Sequence, residues 1–196
     1  MRKLIEATLV SLDGVVGSPQ EWALPRWDEE NKAHAQAALA DVGAFLLGRV
    51  TYETFAAAWS PITGDPYYDI INRLPKFVAS ASLAETGWNA TLIKGDVAAG
   101  VARLKSEPGK AIMKYGTSRL DRTLIRHGLI DEFHFSVFPV VVGHGPRLFD
   151  GIDTSGMTLT LTATKTFGNG IVGLTYVPEY VPAPKTPPAP EGKRSS

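Results

Sequence analysis

The chain has 196 residues, of which 44% are hydrophobic and 20% charged, and its 20 basic side chains balance its 20 acidic ones. These proportions are typical of one globular domain, and the zero net charge provides no overall field that would attract nucleic acid or an anionic membrane. The lack of cysteine excludes disulfides, thiolate metal sites and a cysteine nucleophile. No apolar stretch approaches the roughly 20 residues that span a bilayer. Glu6 interrupts the apolar N-terminal run, so we expect no signal peptide and a cytoplasmic protein.

The first two thirds of the chain alternate between strand and helix patterns. In chain order they predict a strand over residues 3–11, a helix from a cap at Asp28 to about residue 41, a strand over 44–47, and helices over 49–58 and 67–74. Next come strands over 76–79 and 90–93, a helix over 97–105 capped by Asp96, a strand over 111–114, and a helix over 117–126 that Gly128 ends.

The final third is rich in strands, predicted over residues 132–138, 157–166 and 171–176, with hairpin residues 167–170 between the last two. This succession predicts an α/β domain with a central mixed, mostly parallel sheet, flanking helices and a C-terminal antiparallel hairpin. Six prolines follow residue 177. We therefore predict a domain over residues 1–177 and a flexible Pro-rich tail over residues 178–196, with a Pro-rich docking ligand as the alternative.

Small and polar residues follow four of the predicted strands, at residues 11–14, 48–53, 80–82 and 115–118. Open α/β sheets bind ligands at such strand ends. Gly48 and Gly116 each join a strand to a helix, and the free N–H groups of a helix start suit phosphate. Arg49 and Thr51 add further donors. Two such junctions indicate a dinucleotide, although a glycine there also serves backbone geometry alone and the Gly-x-Gly-x-x-Gly and Walker A patterns are absent.

Five segments, in this order and spacing, carry a family resemblance. They are SLDG (11–14), LLGRVTYE (46–53), KFVASASL (76–83), KYGTSRL (114–120) and GLIDEFHFSVFPVVVGHGPRLF (128–149). Over about residues 1–177 the chain resembles the dihydrofolate-reductase-like family. It is most similar to the stand-alone form of the C-terminal reductase domain of the bifunctional riboflavin-biosynthesis deaminase-reductase. No deaminase domain with zinc ligands precedes residue 1, so we expect a reductase without that partner domain.

The resemblance implies a three-layer dihydrofolate-reductase-like fold and an NADPH cofactor. It also implies hydride transfer to a small heterocyclic, carbonyl or imine substrate that is pyrimidine- or pterin-like. A non-catalytic NADP(H)-binding protein on the same fold is the alternative. We expect a small-molecule substrate and a homodimer, because related domains pair and residues 132–142 include apolar side chains to bury. Nucleic acid and membrane are not expected partners.

The resemblance also implies which residues border the cofactor. Those on the pyrophosphate and 2′-phosphate side are Gly48, Arg49, Val50 and Thr51; those near the adenosine are Ser80 and Ser82; those holding the pyrophosphate from the other side are Tyr115, Gly116, Thr117 and Ser118; those beside the nicotinamide are Ser11, Asp13 and Gly14. Residues 139–145 would form a loop at the substrate side or at a subunit contact.

Two carboxylates are candidate catalytic residues. Asp13 has either a functional role, in which it donates a proton or orients substrate, or a structural role as a turn residue beside Gly14. Asp28 either holds substrate, since residues 22–28 loosely echo the substrate-carboxylate segment of the folate enzyme, or it caps a helix. Trp22 and Trp27 line a substrate cleft or belong to the core. No two of the four histidines have metal-ligand spacing, so we expect no metal.

Overall fold

The computed structural model describes residues 1–180, in which eight strands form one sheet. The strands are β1 (Leu4–Ser11), β2 (Val42–Gly48), β3 (Lys76–Ala79), β4 (Ala90–Ile93), β5 (Ala111–Tyr115), β6 (Glu132–Phe138), β7 (Met157–Thr166) and β8 (Val172–Tyr180). Their spatial order is β4-β3-β2-β5-β1-β6-β8-β7. Strands β1 to β6 run parallel, β8 is antiparallel to β6, and β7 is antiparallel to β8. The predicted mixed, mostly parallel sheet with a closing antiparallel hairpin is confirmed.

Six helices accompany the sheet: α1 (Pro19–Trp22), α2 (Glu29–Ala38), α3 (Arg49–Trp59), α4 (Pro66–Arg73), α5 (Val97–Ser106) and α6 (Arg119–Arg126). Side-chain oxygens cap four of them: Asp28 caps α2, Asp65 caps α4, Asp96 caps α5 and Ser118 caps α6. Helix α6 begins two residues after its predicted start because Ser118 is the extended cap residue. The single-turn helix α1 was not predicted.

Alternating side chains along β1 divide the core into two faces. On one face, Leu4 and Val10 pack with Val101 of α5 and Leu124 of α6. On the other face, Ala7 packs against a cluster from β2, α3 and α4. The sheet is therefore the middle of three layers, and this is the layered α/β architecture that the resemblance implies.

Strand β8 extends three residues beyond the predicted end of the domain. Pro178 lacks an N–H, but β6 pairs with β8 only as far as Tyr176, so no ladder bond to β6 is lost. The Tyr180 ring lies against Gly128, and its hydroxyl donates to the Ile130 carbonyl at 3.1 Å. Residues 178–180, predicted as the start of the tail, therefore belong to β8. Residues 181–196, the rest of the predicted Pro-rich tail, lie outside the described residues.

The apolar residues of β6 are already covered by the chain itself. Phe133 and Phe135 are buried, with the Phe149 ring 5.8 and 6.2 Å from theirs. Phe138 is fully buried against Trp22 and Trp27. These side chains therefore give no reason to expect a second subunit, and the homodimer stays a prediction. Within residues 1–180, none of the helices is both long and apolar enough to cross a membrane.

Candidate functional site

The four polar segments lie along one edge of the sheet. Strands β3, β2, β5 and β1 are consecutive neighbours and parallel, so their C-terminal ends point the same way. Gly48 pairs with Ala79, which places Ser80 beside the start of α3. At strand spacings of about 4.8 Å, the row from β3 to β1 is about 14 Å long. An extended ligand fits such a row.

Two helix N-termini meet at the centre of this edge. Gly48 immediately precedes α3, Ser118 immediately precedes α6, and a Cβ built on Gly48 would lie 3.8 Å from Ser118 Oγ. Gly116 has a φ of +70°, and a Cβ placed there would meet nothing within 4 Å. Thr117 Oγ1 is buried without a hydrogen-bond partner among the described residues. A capping box occupies the Ser118 and Leu120 N–H groups of α6, whereas α3 has no side-chain cap. The uncapped N–H groups that begin α3, the open space at Gly116 and the unpaired Thr117 hydroxyl fit the phosphates of a dinucleotide.

Arg49 lies at this edge but is paired within its own helix. Its Nη1 contacts the Glu53 carboxylate at 2.9 and 3.2 Å, and both side chains are 45% exposed. An exposed pair of this kind contributes only about 0–1 kcal/mol, so a phosphate competes readily for the guanidinium. Val50 is 66% exposed and Thr51 half-buried, so both can be reached by a ligand.

An arginine-rich cleft of about 180 Å³ adjoins the α6 start. Arg119 and Arg122 line it from α6, and Arg147 from the facing loop, with Asp150 as the one acidic residue. In the described chain, none of the three arginines has an ion-pair partner within 4 Å. The sequence did not reveal this cleft, because its arginines belong to separate segments that the fold brings together.

A buried charged cluster lies under the turn that joins β5 to α6. Lys114 Nζ is 2.9 Å from Asp121 Oδ2 and 3.6 Å from Glu6 Oε2, and all three side chains are buried. Burial raises the pKa of Glu6 well above its usual range, and Asp121 raises it further despite the opposing effect of Lys114. Sequence reasoning missed this cluster. The available signal was a charged residue at inward-facing positions of two apolar strands.

On the predicted nicotinamide side, Asp13 joins two loops. Its carboxylate accepts from Ser11 Oγ at 2.7 Å and from the N–H groups of Val142 and Gly143 at 3.0 and 2.8 Å. These bonds, that of Ser11 first, hold the pKa of Asp13 far below its usual range. The geometry therefore favours a turn residue that anchors residues 139–145 and disfavours a proton donor.

Ser11 and Gly14 complete that turn. Ser11 is buried, and its Oγ also accepts from the Val15 N–H at 2.8 Å, so its hydroxyl both donates and accepts within the protein. Gly14 has a φ of +85°, which favours glycine, and its carbonyl accepts from the Leu148 N–H at 2.8 Å. Both residues shape the loop at the end of β1 through contacts within the protein.

Asp28 is a helix cap. Its Oδ1 accepts from the Asn31 N–H at 3.0 Å, and Asn31 Oδ1 accepts from the Asp28 N–H at 3.2 Å. This reciprocal capping box matches the structural interpretation of Asp28. Its carboxylate is nevertheless exposed and can meet a ligand as well.

Tyr115 does not direct its side chain to the β5–α6 turn. Its ring belongs to the α3 face, with centroids 5.2 Å from Phe45 and 6.2 Å from Trp59, and its hydroxyl is 3.2 Å from that of Tyr67. Burial raises the pKa of Tyr115 well above its usual range. A role in cofactor binding is therefore limited to its backbone.

The two serines after β3 shape their own turn. Ser80 Oγ accepts from the N–H groups of Ser82 and Leu83 at 3.2 and 3.0 Å. Ser80 is half-buried and the Ser82 side chain is exposed. The turn places both serines next to the Gly48 end of the row.

One face of the central strand β1 is incompletely covered. Leu4, Glu6, Thr8 and Val10 are buried, whereas the residues between them are only half-buried. Near this face, the Trp27 ring stacks on Phe138 at 6.0 Å, and Trp22 meets the same ring edge-on at 5.6 Å. Trp22 is thus a core residue, while the half-exposed Trp27 borders the open side. In the described part of the chain, no three His, Cys, Asp or Glu side chains are grouped so that they could hold a metal ion.

Comparison with known proteins places the chain in a family. The model of the RibD C-terminal domain matches residues 2–173, so the chain belongs to the RibD C-terminal domain family. Two relatives come from Bacillus subtilis (strain 168). The uncharacterized protein YyaP is 32% identical over 143 residues, covering 70% of this chain and 75% of YyaP. The uncharacterized protein YwjB is 32% identical over 174 residues, covering 87% of this chain and 95% of YwjB.

Solved structures share the fold at low sequence identity. A protein assigned to riboflavin biosynthesis from Shewanella sp. PV-4 has a TM-score of 0.71 and 22% identity over 90% of this chain and 99% of its own. Enterococcus faecalis dihydrofolate reductase, complexed with NADP(H), has a TM-score of 0.59 and 15% identity, and the match covers 90% of this chain and 96% of the reductase. The Thermotoga maritima deaminase/5-amino-6-(5-phosphoribosylamino)uracil reductase has a TM-score of 0.65 and 13% identity, and the match covers 90% of this chain and 56% of the Thermotoga protein. The dihydrofolate-reductase-like fold is thereby confirmed.

Proposed function

We propose that this chain is an NADPH-dependent reductase that acts on a small heterocyclic, carbonyl or imine substrate, pyrimidine- or pterin-like. The observation that carries the proposal is the meeting of two helix N-termini, at Gly48 and Ser118, on adjacent parallel strands. Bound NADPH supplies the hydride. The NADP(H) of the Enterococcus dihydrofolate reductase and the uracil reductase activity named for the Thermotoga protein support the choice of cofactor and substrate class.

The phosphate groups of the cofactor bind at the centre of the sheet edge in this proposal. The uncapped N–H groups that begin α3 donate to the pyrophosphate, and Thr117 Oγ1 gains the partner that it lacks among the described residues. Arg49 exchanges Glu53 for the 2′-phosphate. The arginine-rich cleft beside α6 raises the local positive potential and favours an anionic ligand.

The substrate binds above the half-buried face of β1, at the end of the row where Ser11 and Gly14 lie. Asp13 holds the loop over this end by tying it to Val142 and Gly143. Its role is to position the loop, since its lowered pKa keeps it ionised and an ionised carboxylate can only accept hydrogen bonds. The proton that accompanies hydride transfer then comes from water or from the substrate environment.

A non-catalytic NADP(H)-binding protein is the second candidate. It is favoured by one observation: the two carboxylates predicted to be catalytic, Asp13 and Asp28, both make structural hydrogen bonds. The two candidates differ in turnover. NADPH oxidation in the presence of pyrimidine and pterin substrates is expected for the reductase, and NADPH binding without oxidation by any of them for the second candidate.

The first test concerns the 2′-phosphate. We expect the wild-type protein to bind NADPH more tightly than NADH, and Arg49→Ala to weaken NADPH binding about 10- to 100-fold, since a charged hydrogen bond contributes roughly 1.5–3 kcal/mol. NADH binding should change much less. Titration of NADPH fluorescence at fixed salt measures both, with Arg73→Ala on α4 as the matched control. Equal wild-type affinity for NADH would remove the 2′-phosphate from Arg49, and no NADPH binding would overturn the proposal.

A further inference from the structure

Two buried charged side chains, Lys114 and Asp121, contact the Gly116–Ser118 turn from inside the protein, and a third, Glu6, lies against Lys114. We propose that Glu6, Lys114 and Asp121 form a positioning triad that sets the shape and the charge of this turn for the cofactor pyrophosphate. The proposal deepens the function proposed above and rests on it. None of the three side chains faces the sheet edge where the ligand would lie, so each acts through the turn.

The triad holds both ends of the turn. Lys114 donates from Nζ to the Gly116 carbonyl, and Asp121 Oδ2 accepts from the Ser118 N–H at 2.5 Å. Ser118 Oγ in turn accepts from the Leu120 N–H, so Asp121 and Ser118 complete a capping box at the start of α6. The Gly116 N–H donates to the Ala7 carbonyl at 2.9 Å, so the turn offers an anion the N–H and the hydroxyl of Thr117. Their orientation depends on the Lys114–Asp121 ion pair at 2.9 Å, which holds the residues on either side.

Glu6 joins the pair across the sheet. It is the register partner of Lys114 on the neighbouring strand, and its Oε2 lies 3.6 Å from Lys114 Nζ. Thr8 Oγ1 donates to the other oxygen of Glu6 at 3.4 Å. Glu6 is therefore the third charged group of a cluster that is fully enclosed, and its charge acts at low local dielectric.

The hydrogen bonding of the cluster is completed by one proton. Glu6 Oε2 and Asp121 Oδ1 are buried and have no donor among the described residues. A proton on Glu6 supplies the missing donor and leaves one carboxylate to balance Lys114. Burial raises the pKa of Glu6, which favours this protonated form. The remaining titratable group that faces the cluster is Tyr180 of β8, and burial raises its pKa so that it stays neutral.

The protonation of Glu6 thereby controls the charge behind the turn. With the proton, the triad is neutral and the turn presents the Thr117 N–H and hydroxyl to an anion. Without it, a net negative charge lies behind the turn and opposes the pyrophosphate. Cofactor affinity should therefore fall as pH rises through the pKa of Glu6. We expect a decrease on the order of 10-fold, because one buried negative charge lies behind the turn that would hold the pyrophosphate.

The test compares the full-length wild type with Glu6→Gln, whose amide resembles the protonated carboxyl. NADPH affinity is measured by fluorescence at fixed ionic strength from about pH 6 to about pH 9. We expect wild-type affinity to fall with pH and that of E6Q to stay higher at the alkaline end. Titration of the 2′-phosphate affects both proteins alike, so the difference between them reports Glu6. The matched control, Glu179→Gln on β8, should follow the wild type.

A second readout does not depend on NADPH. In Lys114→Met, we expect faster amide hydrogen exchange at Gly116 and Ser118 than in the wild type, and weaker NADPH binding at every pH. If that variant does not fold, E6Q alone decides the matter. Identical pH profiles for wild type and E6Q would overturn the triad. If the wild type binds no NADPH, the proposed function fails, while unchanged exchange at Ser118 in K114M would separately overturn the positioning role.

Discussion

Asp13 is the residue whose interpretation the structure changes most. Its carboxylate accepts three hydrogen bonds that connect the end of β1 to Val142 and Gly143. A proton donor needs a pKa near the operating pH, and these bonds move the pKa of Asp13 in the opposite direction. At the residue scale, its function is to hold a loop in place.

Asp13→Asn tests this role, because the amide has one acceptor oxygen in place of two. We expect faster amide exchange at Val142 and Gly143 and a lower Tm at neutral pH, with the exposed Asp41→Asn as control. The lowered pKa stabilises the fold above the unfolded-state pKa of about 3.9 and this contribution is lost as pH falls, so the difference from wild type should shrink in acid. Unchanged exchange combined with lost NADPH oxidation would instead make Asp13 the proton donor.

Single residues could be predicted from the sequence where local geometry alone fixes them. The strand–helix junctions at Gly48 and Gly116 were predicted because each glycine follows a short apolar strand and precedes a helix. The Glu6–Lys114 contact could not be predicted, because it depends on the register between β1 and β5. Three strands and several helices lie between these two strands in the sequence. The pairing of Arg49 with Glu53 was within reach, since the two residues are one helical turn apart.

Elements were predicted well where a capping side chain and a change of periodicity coincide. Strands β3 and β4 have their predicted bounds, and α5 begins directly after its Asp96 cap. Helix α1 was missed because it is one turn long and its N-cap residue, Ser18, makes no side-chain cap bond. The end of β8 was missed because proline usually ends a strand, and Pro178 is tolerated only where β6 no longer pairs.

Asp28→Ala tests the element-scale role of the second candidate carboxylate. Loss of the cap should lower the free energy of unfolding by about 1 kcal/mol, because the Asn31 N–H loses its acceptor. Urea denaturation measures this, with Gln36→Ala on the same helix as control. NADPH affinity should be unchanged. Normal stability with abolished substrate turnover would show that Asp28 serves the substrate.

At the scale of the whole molecule, the alternation of strands and helices was sufficient to predict a mostly parallel sheet. The order of the strands was not predictable from that alternation, because it depends on where each crossover returns. Yet the order is what creates the site: β3, β2, β5 and β1 are neighbours, so four segments distributed over more than 100 residues form one row. The arginine-rich cleft and the buried triad follow from the same arrangement.

Amide chemical shifts measured during an NADPH titration of the ¹⁵N-labelled protein test most directly whether a nicotinamide dinucleotide binds along this row. We expect saturable shifts at residues 48–51, 80–82 and 116–119, with smaller changes at residues 11–14. Strand β7 and helix α5 should be unaffected. Saturable shifts confined to β7 or α5, or no saturable shifts at all, would contradict it.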